Sequence, residues 1–240
     1  WGITREDQDA LALTSHQRTH AAYEAGFYDD LVVPYADLSR DNNLRPDSSM
    51  EQLAKLKPAF DRKSGNGTMT AGNSTPLTDG ASAVLLASED WARERNLPIL
   101  AYLDFCKVAA VDFIDDEGLL MAPAYAVSEM LKDADMGFGD IDIFEIHEAF
   151  AAQTLATMKA WESPDFCRDK LRRDTPLGSI DRDKLNPMGG SLAMGHPFAA
   201  TGGRIVASLA KQLHARGSGR GLISICTAGG MGVTAILSAT

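Results

Sequence analysis

Apolar and polar positions come in blocks along this chain, and the blocks predict its elements. Ala10, Leu11, Leu13, Ala21, Ala22 and Ala25 supply an apolar face that predicts one helix over residues 4–25. Thr4 ahead of Glu6 and Asp7 has the form of an N-cap with an acidic first turn, and Gly26 that of a C-cap. Residues 30–36 predict a short extended segment, which Pro34 keeps at an edge. Residues 38–50 are polar and without period, as a loop would be, and a second short helix is predicted over about 49–57, ending before Pro58. Gly, Asn, Ser and Thr fill 61–79, which reads as loop and turn. The small apolar run 80–88 suits a buried strand or a buried helix, and periodicity does not decide between them.

The second half is more regular. It predicts a β-like run at 99–113, a helix at about 122–133, a strand at 141–146 and a helix at about 148–160. A charged, loop-like stretch covers 161–184. A glycine-rich segment from Asn186 then opens a helix at about 197–215. A strand at 221–226, a glycine-rich turn and a strand at 232–238 close the chain. Strands alternating with helices point to a layered α/β domain with a mostly parallel sheet. The chain holds no internal repeat and no low-complexity tract.

Composition narrows the possibilities further. Of 240 residues, 45% are hydrophobic and 23% charged, the profile of a globular protein rather than a disordered one. The net charge of −10 argues against nucleic acid as a partner, so an anionic ligand would need a local site of backbone amides or a few placed cations. No apolar run approaches the roughly 18–20 residues of a membrane span. Cys106, Cys167 and Cys226 are far apart and show neither a disulfide framework nor zinc spacing, so a reducing compartment, cytoplasm or organelle matrix, is the expectation. The chain opens at the entrance of a helix, on Trp1 and without Met, as a piece cut from a longer protein would; a targeting segment is unreadable. Ser238-Ala239-Thr240 is unlike a Ser-Lys-Leu peroxisomal address.

Three stretches carry candidate chemistry. In Glu145-Ile146-His147-Glu148-Ala149-Phe150 a strand gives way to a helix at His147, which is where α/β folds gather ligands. A histidine that merely caps the helix is the plainer alternative, with Phe150 as helix core. In Asn186-Pro187-Met188-Gly189-Gly190-Ser191-Leu192-Ala193-Met194-Gly195-His196-Pro197 the glycines allow close approach of backbone to a ligand. Pro197 suits a first helical turn, which sets His196 on a helix N-terminus and favours a neutral ring able to take a proton from a thiol. A phosphate loop is the alternative, but the P-loop Lys-Ser/Thr and the dinucleotide fingerprint spacing are both missing. In Ile225-Cys226-Thr227-Ala228-Gly229-Gly230 a thiol at a strand end faces free backbone amides that could form an oxyanion hole. A buried structural cysteine is the alternative there. Zinc on His147, His196 and Cys226 lacks ligand spacing and a fourth ligand.

Taken in order, these stretches resemble the thiolase family, whose members condense or cleave acyl groups on coenzyme A. The resemblance extends over essentially the whole chain. It includes Gly2-Ile3-Thr4-Arg5-Glu6-Asp7, Lys55-Leu56-Lys57-Pro58-Ala59-Phe60, Thr70-Ala71-Gly72-Asn73-Ser74, Asp79-Gly80-Ala81, His147-Glu148-Ala149-Phe150, Gly195-His196-Pro197 and Cys226-Thr227-Ala228-Gly229-Gly230. It implies a layered α/β/α fold: residues 1–72 as part of a coenzyme A-binding loop domain, 73–96 as the end of an N-terminal half, and 97–240 as the complete C-terminal half. It implies acyl-CoA and CoA as partners, no metal or redox cofactor, and a homo-oligomer, dimer or tetramer, for the complete protein.

The resemblance also implies roles. His196 matches the histidine that deprotonates the nucleophilic thiol and lines a first oxyanion hole. Cys226 matches the cysteine that moves the α-proton of the acyl donor. His147 stands where many members have Asn and would hold the water of the first hole. The amide of Ala228 matches a donor of the second. Arg45, Phe60, Ser74, Thr75 and Phe150 match the neighbourhood that grips coenzyme A. The departure lies in the nucleophile: neither Cys106, in an apolar strand, nor Cys167, in a charged loop, matches the acyl-accepting cysteine, so the chain is expected to be inactive alone. The rival readings are a decarboxylating ketoacyl synthase, against which Cys226 argues, and a non-catalytic thiolase-like protein binding acyl-CoA or lipid, which would need none of the three site residues.

Overall fold

Helix α1 (Arg5–Glu24) is closed at its start by a capping box in which Thr4 accepts from the Asp7 N–H and Asp7 accepts from the Thr4 N–H. Gly26, with φ of +73°, takes the left-handed position just past the helix's end. In the computed structural model, which describes residues 1–115 and 117–240, the chain continues with α2 (Met50–Ala54), α3 (Glu89–Glu94), β1 (Tyr102–Ala110), α4 (Ala122–Asp133), β2 (Ile143–Ile146), α5 (Ala151–Glu162), α6 (Pro164–Asp169), α7 (Ser191–Met194), α8 (Ala199–Arg216), β3 (Arg220–Thr227) and β4 (Met231–Ser238). It divides into two units: residues 1–79 with 146–198, and residues 80–145 with 199–240. No helix among the described residues is long and apolar enough to cross a membrane.

The first unit is built on α1, and its buried side is not the apolar face that periodicity predicts. Ala10, Ala21 and Ala25 are exposed, whereas Gln8, Asp9, Ser15, His16 and Thr19 are buried beside Leu11, Ala12, Ala22 and Tyr23. Most of the buried polar residues have partners; the Thr19 hydroxyl has none among the described residues. Asp9 accepts from Arg5 and from Asn73 Nδ2, the latter at 2.8 Å, and Gln8 donates to Thr68. An apolar cluster of Ala22, Tyr23, Tyr28, Leu44, Ala193 and Met194 packs α1 against α7.

The second unit carries a four-stranded sheet in the order β1-β4-β3-β2. β4 runs antiparallel to both β1 and β3, so the mostly parallel sheet expected from strand–helix alternation is not what forms. The reason is local: only Ala228-Gly229-Gly230 separates β3 from β4, too short for a crossover, so the two must form a hairpin. Ala235 and Leu237 of β4 share a core with Ile205, Leu209 and Leu213 of α8. Gly232, of opposite parity on the same strand, backs onto Pro123 of α4, with no room for a Cβ. Alternate residues of a strand face opposite sides, so α8 and α4 cover the two faces, an α/β/α layering.

Three further expectations are corrected. Residues 80–88 form neither a buried strand nor a buried helix; they are irregular and exposed. Residues 30–36 are turn and irregular backbone, with a single bridge from Tyr35 to Leu38. The charged stretch 161–184 is not all loop, because Ser163 caps α6 by accepting from Phe166 N–H, with Pro164 in the first turn.

Candidate functional site

Two segments of the first unit meet at a pair of histidines. The first follows β2. Helix α5 was expected from about 148 but starts at Ala151, because 147–150 stay extended: Thr75 N–H donates to Ala149 O at 3.0 Å, Ala151 N–H donates to Asn73 O at 3.0 Å, and Ser74 bridges Phe150. His147, fully buried, is thereby held ahead of the helix rather than in its first turn.

The second segment is the glycine-rich one. Asn186 adopts φ of +43°, within reach of a residue that tolerates left-handed backbone, and its amide pairs both ways with Ile146: it accepts the Ile146 N–H at 2.8 Å and donates to Ile146 O at 2.9 Å. Gly189, at φ of +81°, packs so tightly under α1 that a Cβ would fall on Thr19 Oγ1. Gly195, at φ of +97°, lies against Thr78, and His196 beyond it pairs as a parallel bridge with Leu77.

The result is a close imidazole pair. The ring centroids of His147 and His196 are 4.2 Å apart, with planes tilted by 48°. His147 Nδ1 shares a 2.7 Å hydrogen bond with Ser191 Oγ, which fixes the orientation of the ring. Phe198 packs edge-on against His196 at 4.8 Å. Two imidazolium charges at this spacing repel, which disfavours double protonation. The expected placement of His196 is corrected: α8 begins at Ala199, so His196 stands before its first turn, where a helix's terminal charge is concentrated.

Glu148 is the residue that the sequence reading quoted without a role. It is buried and accepts from Ser15 Oγ at 2.7 Å, Asn186 Nδ2 at 2.8 Å and Leu192 N–H at 3.3 Å. Ser15, Asn186 and Ser191 were missed because each acts across a long sequence separation; the only local signal was Asn186 ahead of Pro187.

Phe60, Ser74, Thr75 and Phe150 are brought together. Phe60 and Phe150 pack edge to face at 5.8 Å, and Thr75 Oγ1 donates to Ala149 O at 3.0 Å. The buried Ser74 hydroxyl has no hydrogen-bond partner among the described residues. A surface cleft of 640 Å³ lies beside Phe60, lined by Lys57, Pro58, Ala59, Asp61, Arg62 and Ala71 among others. Arg45 is not part of this group. Its guanidinium folds back onto the carbonyls of Asn42 and Leu44, and its N–H donates to His16 Nδ1 at 3.2 Å.

Cys226 belongs to the second unit. It is buried near the end of β3, opposite Gly232, and Ala228 lies in the exposed turn that follows. That turn depends on glycine: Gly229 and Gly230 have φ of +89° and +72°, and Val111 N–H donates to Gly230 O at 2.8 Å. Cys167 is buried, its thiol turned to the carbonyls of Ala160 and Trp161, and Cys106 is exposed on β1. Among the described residues no group of three His, Cys, Asp or Glu side chains could hold a metal ion.

Comparison with known proteins gives consistent matches along the chain. The family described as "Thiolase, N-terminal domain" matches residues 1–90, and "Thiolase, C-terminal domain" matches residues 97–239. The 3-ketoacyl-CoA thiolase of Yersinia enterocolitica is 47% identical over 99% of this chain and 55% of its own length. That of Serratia proteamaculans is 49% identical over 98% of this chain and 55% of its own length. The chain therefore spans about half the length of the curated relatives it matches. Among solved structures, human mitochondrial 3-ketoacyl-CoA thiolase superposes with a TM-score of 0.84 at 35% identity, over 99% of this chain and 56% of that one. The same enzyme in complex with CoA gives 0.82 at 34% identity, over 99% and 55%. The acetyl-CoA acetyltransferase of Bacillus anthracis gives 0.82 at 37% identity, over 99% and 57%.

Proposed function

Because this chain belongs to the thiolase family, we propose that it supplies the acid/base part of an acyl-CoA C-acyltransferase, which forms or cleaves a carbon–carbon bond between acyl groups carried on coenzyme A. The observation that carries the reading is the His147–His196 pair, one ring buried and the other half-buried, with centroids 4.2 Å apart. Binding alone does not call for two imidazoles in contact.

In the complete protein, His196 takes the proton of an acyl-accepting thiol, and the thiolate attacks the ketone carbonyl of a 3-ketoacyl-CoA. His147, oriented by Ser191, holds the water that works with His196 to stabilise the oxyanion that forms. Collapse of the adduct breaks the carbon–carbon bond, leaving the acyl group on the enzyme thiol. Cys226 gives its proton to the departing carbon of acetyl-CoA, while the amide of Ala228 steadies the enolate oxygen. A second CoA thiol then takes the acyl group and restores the enzyme thiol. Condensation is the reverse, with Cys226 as base. The covalent intermediate divides one hard step into two.

Phe60, Ser74, Thr75 and Phe150 are proposed to hold the pantetheine arm. The unpaired Ser74 hydroxyl and the two edge-to-face rings support this, and Lys57 and Arg62 on the neighbouring cleft offer cations to its phosphates. Arg45 is proposed to approach the nucleotide through its loop.

The test uses the full-length protein with acetoacetyl-CoA and CoA, following loss of the substrate's absorbance. Parent protein should turn over. Cys226→Ala should still form an acyl-enzyme from acetyl-CoA, read by mass spectrometry, and should no longer condense two acetyl-CoA. Condensation at the parent rate would remove Cys226 from the role of base, and a parent protein that binds CoA without any turnover would point to a binding protein instead.

A further inference from the structure

Helix α1 carries a buried serine that no motif explains. Ser15 Oγ donates to Glu148 Oε2 at 2.7 Å and accepts the Gly190 N–H at 3.0 Å, joining both histidine-bearing segments through one hydroxyl. Glu148 is tied in turn to Asn186 Nδ2 and to the Leu192 N–H, at 2.8 and 3.3 Å. The pattern is a clamp of consecutive residues on consecutive residues: His147 holds Ser191, and Glu148 holds Leu192. There is no slack in it, because a Cβ on Gly190 would overlap the Glu148 carboxylate.

A buried carboxylate is an expensive way to join two loops. An apolar side chain would fill the same volume at lower cost, but it would fix neither the rotation nor the separation of the two segments. Here three donors converge on one carboxylate, and charge-assisted bonds are short and directional. We propose that Ser15 and Glu148 are positioning residues that set the spacing of His147 and His196. The inference rests on the catalytic reading of that pair given above.

The same helix holds the other segments of the site. His16 accepts from Arg45 N–H, and Asp9 accepts from Asn73 Nδ2, next to Ser74. Three successive parts of α1's inner edge thus anchor the Ser74 segment, the Arg45 loop and the histidine clamp, which is why that edge is polar.

The test compares Ser15→Ala and Glu148→Gln with parent in the full-length protein. In Glu148→Gln an amide NH2 replaces one acceptor and faces a donor. Single-turnover acylation, normalised to titrated active sites, should slow by about 10- to 100-fold, since misplacement on the order of 1 Å costs about that much. KM for the acyl-CoA should stay within about twofold, because the residues proposed to grip it are untouched. A role confined to stability would lower the fraction of active sites and leave the rate per site unchanged, which would overturn the proposal. A crystal structure of Ser15→Ala supplies a readout independent of activity. The His147–His196 separation should depart visibly from the parent's, and an unchanged pair would equally overturn the proposal. A parent protein without thiolysis would instead count against the catalytic reading, while the ring geometry in Ser15→Ala would still decide the clamp. Should Glu148→Gln fail to fold, Ser15→Ala, which removes a single oxygen, decides alone.

Discussion

The imidazoles of His147 and His196 face one another at 4.2 Å, although the residues that carry them lie on separate segments of the chain. A pair at this distance suits a site where one ring takes a proton while its neighbour holds a water that donates to a developing oxyanion. His196→Asn in the full-length protein should therefore cut both acyl-enzyme formation and thiolysis, each by about 10²-fold or more. Rapid mixing with acetoacetyl-CoA followed by mass spectrometry reads the first, and the absorbance assay reads the second. Acylation at the parent rate would place the base elsewhere.

Gly189 offers a test of the packing beneath this pair. Its φ of +81° is costly for any other residue, and a Cβ there would collide with Thr19 Oγ1 and approach Ser15 O to 2.8 Å. Gly189→Ala should destabilise by about 2–4 kcal/mol, combining backbone strain with overpacking. Gly178→Ala is the control, since Gly178 has φ of +100° but nothing within 4 Å of its Cβ position; only the strain of about 1–3 kcal/mol remains. Equal losses in urea unfolding of the two variants would mean that the contact with α1 contributes nothing.

His16 gives stability a pH dependence. Its burial, together with the Arg45 charge, holds its pKa below the ordinary value of 6.5. The neutral ring accepts the Arg45 N–H, so the folded state resists protonation while the unfolded chain takes a proton freely. Stability from this group is fully present above 6.5 and is lost as pH falls from there toward the lowered value. Urea midpoints at pH 7.5 and 5.5 should fall further apart in parent than in His16→Gln. The same drop in both would assign the acid sensitivity to other groups.

How much of this was legible depends on the distance between partners. The limits of α1 could be read from Thr4, Asp7 and Gly26, because caps are local. Its buried edge could not. Asp9 needs Asn73, His16 needs the Arg45 N–H, and Ser15 needs Glu148, while hydrophobic periodicity assigns polar residues to solvent. That His147 and His196 meet was legible, since both match the same oxyanion hole, but the residues that hold them together were not: Asn186 gripping Ile146 and Ser191 reaching His147. The late start of α5 was hidden for the same reason, since Asn73 and Thr75 pair with the segment just ahead of it. The antiparallel place of β4 was written in the short glycine turn at 228–230, but the helix–strand alternation pointed the other way. Residues 80–88 were misread because an apolar run implies burial only where the chain supplies something to cover it.

The 240-residue chain by itself is expected to be catalytically silent. Thiolysis needs a thiolate within about 3–3.5 Å of the carbonyl carbon in attack geometry. Cys167 is closed off, with its thiol bonded to the carbonyls of Ala160 and Trp161. Cys106 sits exposed on an edge strand and lacks the motif of the acyl-accepting cysteine. Cys226 is buried at the end of β3 and is assigned the proton, not the acyl group. The chain also presents apolar surface, with Leu85, Leu86 and Val108 exposed by 73%, 68% and 64%, so aggregation should accompany purification. The purified chain, mixed with acetoacetyl-CoA and CoA, should leave the substrate's absorbance unchanged and show no acetylated cysteine by mass spectrometry. Activity should return when the N-terminal half that the thiolase resemblance implies is supplied. Turnover without it, or a stoichiometric acetyl adduct on Cys106, Cys167 or Cys226, would mean that the nucleophile lies within these residues and that the division of labour proposed for Cys226 is wrong.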